Sequence, residues 1–98
     1  MESNIGKKVI IRGSRSGVEF GKLVAQNGSE VTLENARRIW YWSGAASLSQ
    51  LAKDGTSNPN DCKFTVTVDS ITILDAIEII PCTDNAIKSI EEVSTWKR

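Results

Sequence analysis

Asn27-Gly28 sits between two runs of alternating apolar and polar residues, and this arrangement restricts the chain more than any other feature in it. Both residues tolerate φ > 0, as the type I′ turn of a two-residue hairpin requires, so the flanking runs are predicted to pair antiparallel. Before the turn, Gly17 to Ala25 reads as a strand with Val18 and Phe20 on one face. After it, Ser29 to Glu34 points Val31 and Leu33 inward and Glu30, Thr32 and Glu34 outward. Upstream, Lys7 to Arg12 is a β-branched run closed by Gly13, and Gly13-Ser14-Arg15-Ser16-Gly17 supplies a tight turn. The first third is therefore predicted to be a meander of three antiparallel strands.

Asn35 to Trp42 is either a fourth strand or the third one continued past a bend near Asn35. Ser43-Gly44 breaks the extended run. Ser47-Leu48-Ser49-Gln50 then has capping-box form, with Ser47 as N-cap and Gln50 reaching back to it. The helix it opens would bury Leu48, Leu51 and Ala52 and stop at Gly55. Asp54 to Asp61 is a polar loop. Cys62 to Val68 alternates again, with Cys62, Phe64, Val66 and Val68 expected inward and a turn at Asp69-Ser70. Ile71 to Ile80 is a further β-rich run whose parity slips near Leu74-Asp75, where a bulge or bend is expected. Pro81 ends it, and Thr83 or Asp84 caps a last helix carrying Ile87 and Ile90 on one face. With 98 residues the chain is one domain, residues 1–98. The predicted class is α+β: a strongly curved antiparallel sheet or small β-barrel (SH3/OB-like) of about six strands, with two short helices.

Composition removes several kinds of chemistry. Twelve basic residues balance twelve acidic ones, so the chain lacks the basic excess that duplex binding by bulk electrostatics draws on. There is no histidine, hence no His general base, triad or metal ligand. The acids fall mostly on outward strand positions, in turns or on the last helix. No nucleophile elbow, P-loop, dinucleotide fingerprint or metal cluster is legible. The expectation is a non-enzymatic protein without cofactor or metal. Cys62 and Cys82 are in no metal-like spacing; free thiols are the default, with a disulfide between them as the alternative. No signal peptide or apolar run of membrane-spanning length is visible, which points to a cytoplasmic protein with no membrane partner.

The segment Asn35 to Leu48 concentrates what remains. It holds Arg37, Arg38, Trp40, Tyr41, Trp42, Ser43 and Ser47, including two of the three tryptophans and the only tyrosine. In a regular strand Arg38, Trp40 and Trp42 share one face and Arg37, Ile39 and Tyr41 the other, so each face sets a guanidinium beside a ring. Rings stack on bases and arginine forks hold phosphates, so the pattern suits planar anions. Equally, Trp-Tyr-Trp in a β-rich domain can be core plus an amphipathic edge. All three rings cannot line one pocket unless the strand bulges. Gly13 to Gly17 has the composition of an anion-binding loop, and Arg12 and Arg15 would add to the arginines if the segments meet; an ordinary hairpin turn is the plainer reading. Ser43, Gly44 and the start of the Ser47 helix offer a second phosphate-friendly place, against Ser47 serving only as a cap. Trp96, near the end, is expected to pack back on the body or onto another subunit, and self-association into a homo-oligomer is anticipated.

The run Ala36-Arg37-Arg38-Ile39-Trp40-Tyr41-Trp42-Ser43-Gly44-Ala45-Ala46-Ser47-Leu48-Ser49-Gln50-Leu51-Ala52 resembles a family of short, mostly uncharacterised phage and prophage proteins. Gly6 to Gly13, Cys62-Lys63-Phe64 and Ile79 to Thr83 carry the likeness through nearly the full length. The resemblance implies a phage origin but no settled activity. By analogy of class, small phage proteins with a stacking-plus-arginine site are similar in kind to sponge proteins that sequester nucleotide signals of bacterial immunity. The expectation is thus a non-catalytic anti-defence binder of a cyclic-nucleotide or ADP-ribose-type ligand, acting in the cytoplasm of the infected host. Two rivals stand beside it: a single-stranded nucleic-acid-binding small barrel, and a protein–protein inhibitor or accessory protein that uses the aromatics as anchors.

Overall fold

The computed structural model describes residues 3–98. Three strands open the chain: β1 (Lys8–Gly13), β2 (Val18–Asn27) and β3 (Glu30–Tyr41). The predicted hairpin is present, but its turn lies one residue later than expected: Asn27 pairs with Glu30, Gly28 and Ser29 make the turn, and of Asn27 and Gly28 only Gly28 takes a positive φ (+61°), so the type I′ geometry expected of Asn27-Gly28 is not what closes it. The motif segment is no separate strand, since β3 runs unbroken through it to Tyr41. The bend expected near Asn35 is real: that residue sits at φ +50° and the β2–β3 register shifts beside it. Gly21 is what lets the bulge close. A Cβ there would lie 3.1 Å from both the Ala36 Cα and the Glu34 carbonyl oxygen.

Beyond β3 come α1 (Leu48–Asp54), a short 3-10 turn (Pro59–Asp61), β4 (Lys63–Phe64), β5 (Val68–Ile73), β6 (Ala76–Pro81) and α2 (Asp84–Glu92). The order across the sheet is β4-β3-β2-β1-β6, with β5 paired to β3 next to β4. All ladders are antiparallel. One consequence is geometric. β5 and β6 lie at opposite ends of a path of four inter-strand spacings, about 19 Å if flat, yet only Leu74 and Asp75 separate them. Three peptide units reach at most about 11 Å. The sheet must therefore curl until its two edges approach. It is not closed, because no ladder joins β5 to β6 among the described residues, so the expected barrel is an open curled sheet.

The curl creates two cores. Val9, Ile11, Leu23, Val31, Leu33, Ala36 and Ile73, all on strands, pack against each other inside it. Ile10, Phe20, Ile39 and Phe64 face outward under the helices and meet Leu51, Ala52, Ile90 and Val93. β1 is thus buried on both faces, which is why Val9-Ile10-Ile11 is an unbroken apolar run. Thr83 caps α2 by accepting from the Ala86 N–H at 3.1 Å. Cys62 and Cys82 are free; burial pushes the Cys82 thiol up to about 12.

The second half departs from the pattern at one place. Residues Asp69-Ser70, where a turn was expected, lie inside β5, and the chain bends at Leu74-Asp75, where the parity slip had suggested a bulge or bend within one β-rich run. Phe64 and Cys62 are buried as their alternation implies, but Val66 and Val68 are 46% and 41% exposed. The chain leaves β4 after two residues because Thr65 turns to hydrogen-bond the Arg38 backbone, and β5 restarts in a new register further along the same edge of β3.

Candidate ligand cleft

The nine residues singled out from sequence go to several different places. Arg37 goes inside. It is 5% exposed, and its guanidinium donates to the carbonyls of Thr65 (3.1 Å), Phe64 (3.2 Å), Ile90 (3.1 Å) and Val93 (2.9 Å). It also lies over the Phe64 ring at 5.4 Å. Burial lowers its pKa, and four carbonyl acceptors compensate its charge by hydrogen bonding. These carbonyls come from the end of α2 and from the β4 segment, so Arg37 is the pin between them.

Arg38, next in sequence, points to the other face. Its Nη1 donates to the Ser16 carbonyl at 2.8 Å and its Nε lies 2.8 Å from a carboxylate oxygen of Glu19, an acid that is buried where most were expected on outward positions. Trp40 and Tyr41 are on the outside, 57% and 51% exposed. Trp96 returns to stack on Trp40 with ring centroids 4.9 Å apart, and Lys63 sits 5.4 and 5.6 Å from the two rings. The expectation that Trp96 packs back on the body or onto another subunit thus takes its first form.

Arg15 lies on the Gly13–Gly17 turn, and that turn does bind an anion, though an internal one. The Asp75 carboxylate accepts from the backbone N–H groups of Arg15 (2.6 Å) and Ser16 (3.0 Å) and from the Ser16 and Ser14 hydroxyls (2.6 and 3.2 Å). These bonds, that of the Ser16 hydroxyl first, hold Asp75 down at about 2. Asp75 thus takes the Arg15 and Ser16 N–H groups and the Ser14 and Ser16 hydroxyls that a phosphate would need from this loop. Ser43 is also structural. Its carbonyl accepts from the Thr56 hydroxyl at 2.6 Å and its own hydroxyl accepts from Asn58 at 3.3 Å, stapling the end of β3 to the loop after α1. Gly44 completes this staple at φ +80°, and a Cβ there would come within 2.5 Å of the Asn58 nitrogen.

Arg12, Trp42 and Ser47 do come together. They line one cleft of about 360 Å³ with Leu48, Ser49, Glu78 and Ile80. Three segments build it. β1 and β6 run side by side and present Arg12 and Glu78, which are opposite each other in the ladder and paired at 3.2 Å. Trp42 follows β3 and packs partly into the core under the helices, leaving the rest of its ring on the cleft. Ser47 caps α1, its hydroxyl oxygen accepting from the Gln50 N–H at 3.1 Å, while the Gln50 side chain bonds the Ala46 N–H at 2.7 Å. The capping box is thus shifted by one residue from the expected form, and it leaves the hydroxyl protons of Ser47 and Ser49 free to donate. The cleft has an apolar floor (Trp42, Leu48, Ile80) and a polar rim, and its volume falls in the usual range for small-molecule sites. Sequence reading missed Ser49, Glu78 and Ile80. Glu78 was legible only as surface charge, because nothing local says that β6 lies beside β1.

A hollow of about 410 Å³ lies between the 3-10 turn and α2. It is lined by Pro59 and polar side chains such as Asn60, Asn85 and Lys88, and it has no aromatic or apolar floor.

Residues 6–90 match the model of a family described as a domain of unknown function (DUF6948). The chain belongs to that family. Neither curated proteins nor solved structures give a match. Every element that builds the cleft lies within the part the family model covers.

Proposed function

We propose that this protein is a non-catalytic binder of a small nucleotide, held in the Arg12–Trp42–Ser47 cleft. The observation that carries this reading is the convergence of an indole, a guanidinium and two serine hydroxyls from separate segments on one cleft of small-molecule size. In this role the base lies against Trp42, over the apolar floor of Leu48 and Ile80. Arg12 and the hydroxyls of Ser47 and Ser49 hold phosphate oxygens. Glu78 keeps Arg12 in place and offers its carboxylate to ribose hydroxyls. Since α1 has only seven residues, the anion contacts are assigned to these side chains and not to a helix dipole. In the phage setting that the sequence resemblance implies, a binder of this kind acts as a sponge for a nucleotide immune signal in the host cytoplasm.

A thermal-shift panel of cyclic di- and trinucleotides, ADP-ribose derivatives and short oligonucleotides tests the proposal. A ligand at a hundredfold over its Kd adds about 2.7 kcal/mol of apparent stability, a rise of several degrees for a domain of this size. The rise is expected with a small nucleotide and is expected to vanish in Trp42→Ala. An unshifted melting curve across the panel would reject it.

The second reading, a single-stranded nucleic-acid module, is favoured by a different observation: the exposed Trp40–Trp96 stack with Lys63 beside both rings. Oligonucleotide binding that falls steeply with salt and is lost in Trp40→Ala, but kept in Trp42→Ala, would select it.

A further inference from the structure

The open sheet leaves two edge strands, β5 and β6, and they are not alike. β6 is guarded. Its ladder with β1 shifts register between Arg12 and Gly13, Glu78 charges it, and Pro81 lacks an N–H. A bulge, a charge and a proline are what keep an edge from pairing with another chain. β5 is not protected in this way. It reads Val-Asp-Ser-Ile-Thr-Ile, mostly β-branched, with no proline or lysine, and its pairs with β3 hold one register from Ile73 to Val68. The two edges come together at the Leu74-Asp75 link and open away from it. Val68 pairs with Ala36, Ala36 lies against Gly21, Gly21 pairs with Val9, and Val9 with Pro81, so the far ends are separated by the width of the sheet.

The ladders also fix which backbone groups of β5 are free. Asn27 and Glu30 flank a two-residue turn, so they exchange both hydrogen bonds, and Glu30 and Thr32 bond towards β2. Val31 and Leu33 then bond to their partners Ile73 and Ile71, and the N–H and C=O groups of Ser70 and Thr72 point away from the sheet. No turn, loop or cap takes them among the described residues. Val68, Ser70, Thr72 and Leu74 are all exposed, Leu74 by 68%.

This edge complements itself. Let a second copy lie antiparallel about a two-fold axis at Ile71. Ser70 then exchanges both hydrogen bonds with the partner's Thr72, and Thr72 with the partner's Ser70. The same register brings Val68 opposite the partner's Leu74, two exposed apolar side chains, and Asp69 opposite the partner's Ile73, so no like charges meet. We propose that β5 is a self-association edge, through which two copies pair strand to strand about Ile71 and join their curled sheets into one. Trp96, stacked on its own chain, takes no part, and none of the nucleotide cleft's residues is used.

Sedimentation velocity of the intact protein, from about 5 µM to about 1 mM, is expected to show a monomer–dimer equilibrium with a Kd on the order of 10 µM. Over that range hydrogen exchange is expected to slow several-fold at the Ser70 and Thr72 amides and to stay unchanged at Ile79 on the other edge. Ser70→Pro removes an N–H that makes no ladder bond within the chain. The variant, checked for folding by circular dichroism, is expected to dimerise at least tenfold more weakly. A monomer at every concentration overturns the proposal and leaves the edge to an extended segment of another protein. So does a dimer unaffected by Ser70→Pro in a folded variant, or one that slows exchange at Ile79 and not at Ser70 and Thr72. The wild-type exchange pattern decides the matter should the variant fail to fold.

Discussion

Arg37 and Arg38 are neighbours in sequence and opposite in function, because consecutive strand residues face opposite sides. Arg37 spends four donors on carbonyls: those of Thr65 and Val93 have no other donor among the described residues, while those of Phe64 and Ile90 also accept from the Trp96 and Val93 N–H groups. Arg37→Ala is expected to lower stability by about 3 kcal/mol or more, since it strands buried acceptors as well as removing charge-assisted bonds. Urea denaturation checks this, and a loss within error of zero would show that water replaces the guanidinium. Asp75 makes a prediction with a definite sign. Its folded-state pKa of about 2 lies below the ordinary value of 3.8. Its stabilising effect is therefore full above the unfolded pKa and is lost as pH falls from about 4 towards 2. Asp75→Asn is expected to melt lower than the wild type at pH 7, with the two curves converging near pH 2 in a melting-temperature series. A constant gap at all pH values would show that the loss is steric.

Among the elements, those with strictly local signals were legible. The hairpin at Gly28, though not its turn type, the Ser47 and Thr83 caps, the Gly55 stop and the alternation of Val31 and Leu33 all depend on neighbours within a few residues. What local pattern cannot contain is partnership. Val66 and Val68 alternate well yet lie outward, because a two-residue β4 and a fresh register in β5 were decided by the bond between Thr65 and Arg38 on the distant strand β3. Arg37 looked like a ligand residue because its acceptors, on α2 and β4, lie 27 to 56 positions away. The cleft was half legible: its aromatic and hydroxyl side came from one continuous segment, whereas Glu78 and Ile80 required the β1–β6 pairing. The wall that carries Trp42 into Ser47 also depends on Gly44. Gly44→Ala places a Cβ against the Asn58 backbone at a positive φ and is expected to cost more than about 1 kcal/mol. Hydrogen exchange at Thr56, Ser57 and Asn58 should rise with that loss; unchanged protection would show that the loop accommodates the methyl group.

For the whole molecule, the two-residue link between β5 and β6 is decisive, since it forces the sheet to curl and gives it an inner core and an outer one under the helices. The same curl brings β6 beside β1, and with it Glu78 and Ile80 to the cleft that Trp42 and Ser47 border. Nucleotide binding in that cleft is most directly tested by fluorescence. With Trp40→Phe and Trp96→Phe in place, Trp42 is the only indole left, and its emission is titrated with each nucleotide of the panel. A saturable change with one small nucleotide is expected, with the affinity falling at least tenfold on adding Arg12→Ala, as loss of a charge-assisted phosphate contact of about 1.5 kcal/mol or more implies. Emission that stays flat with every nucleotide, in a protein that still folds, would contradict a nucleotide site at Trp42.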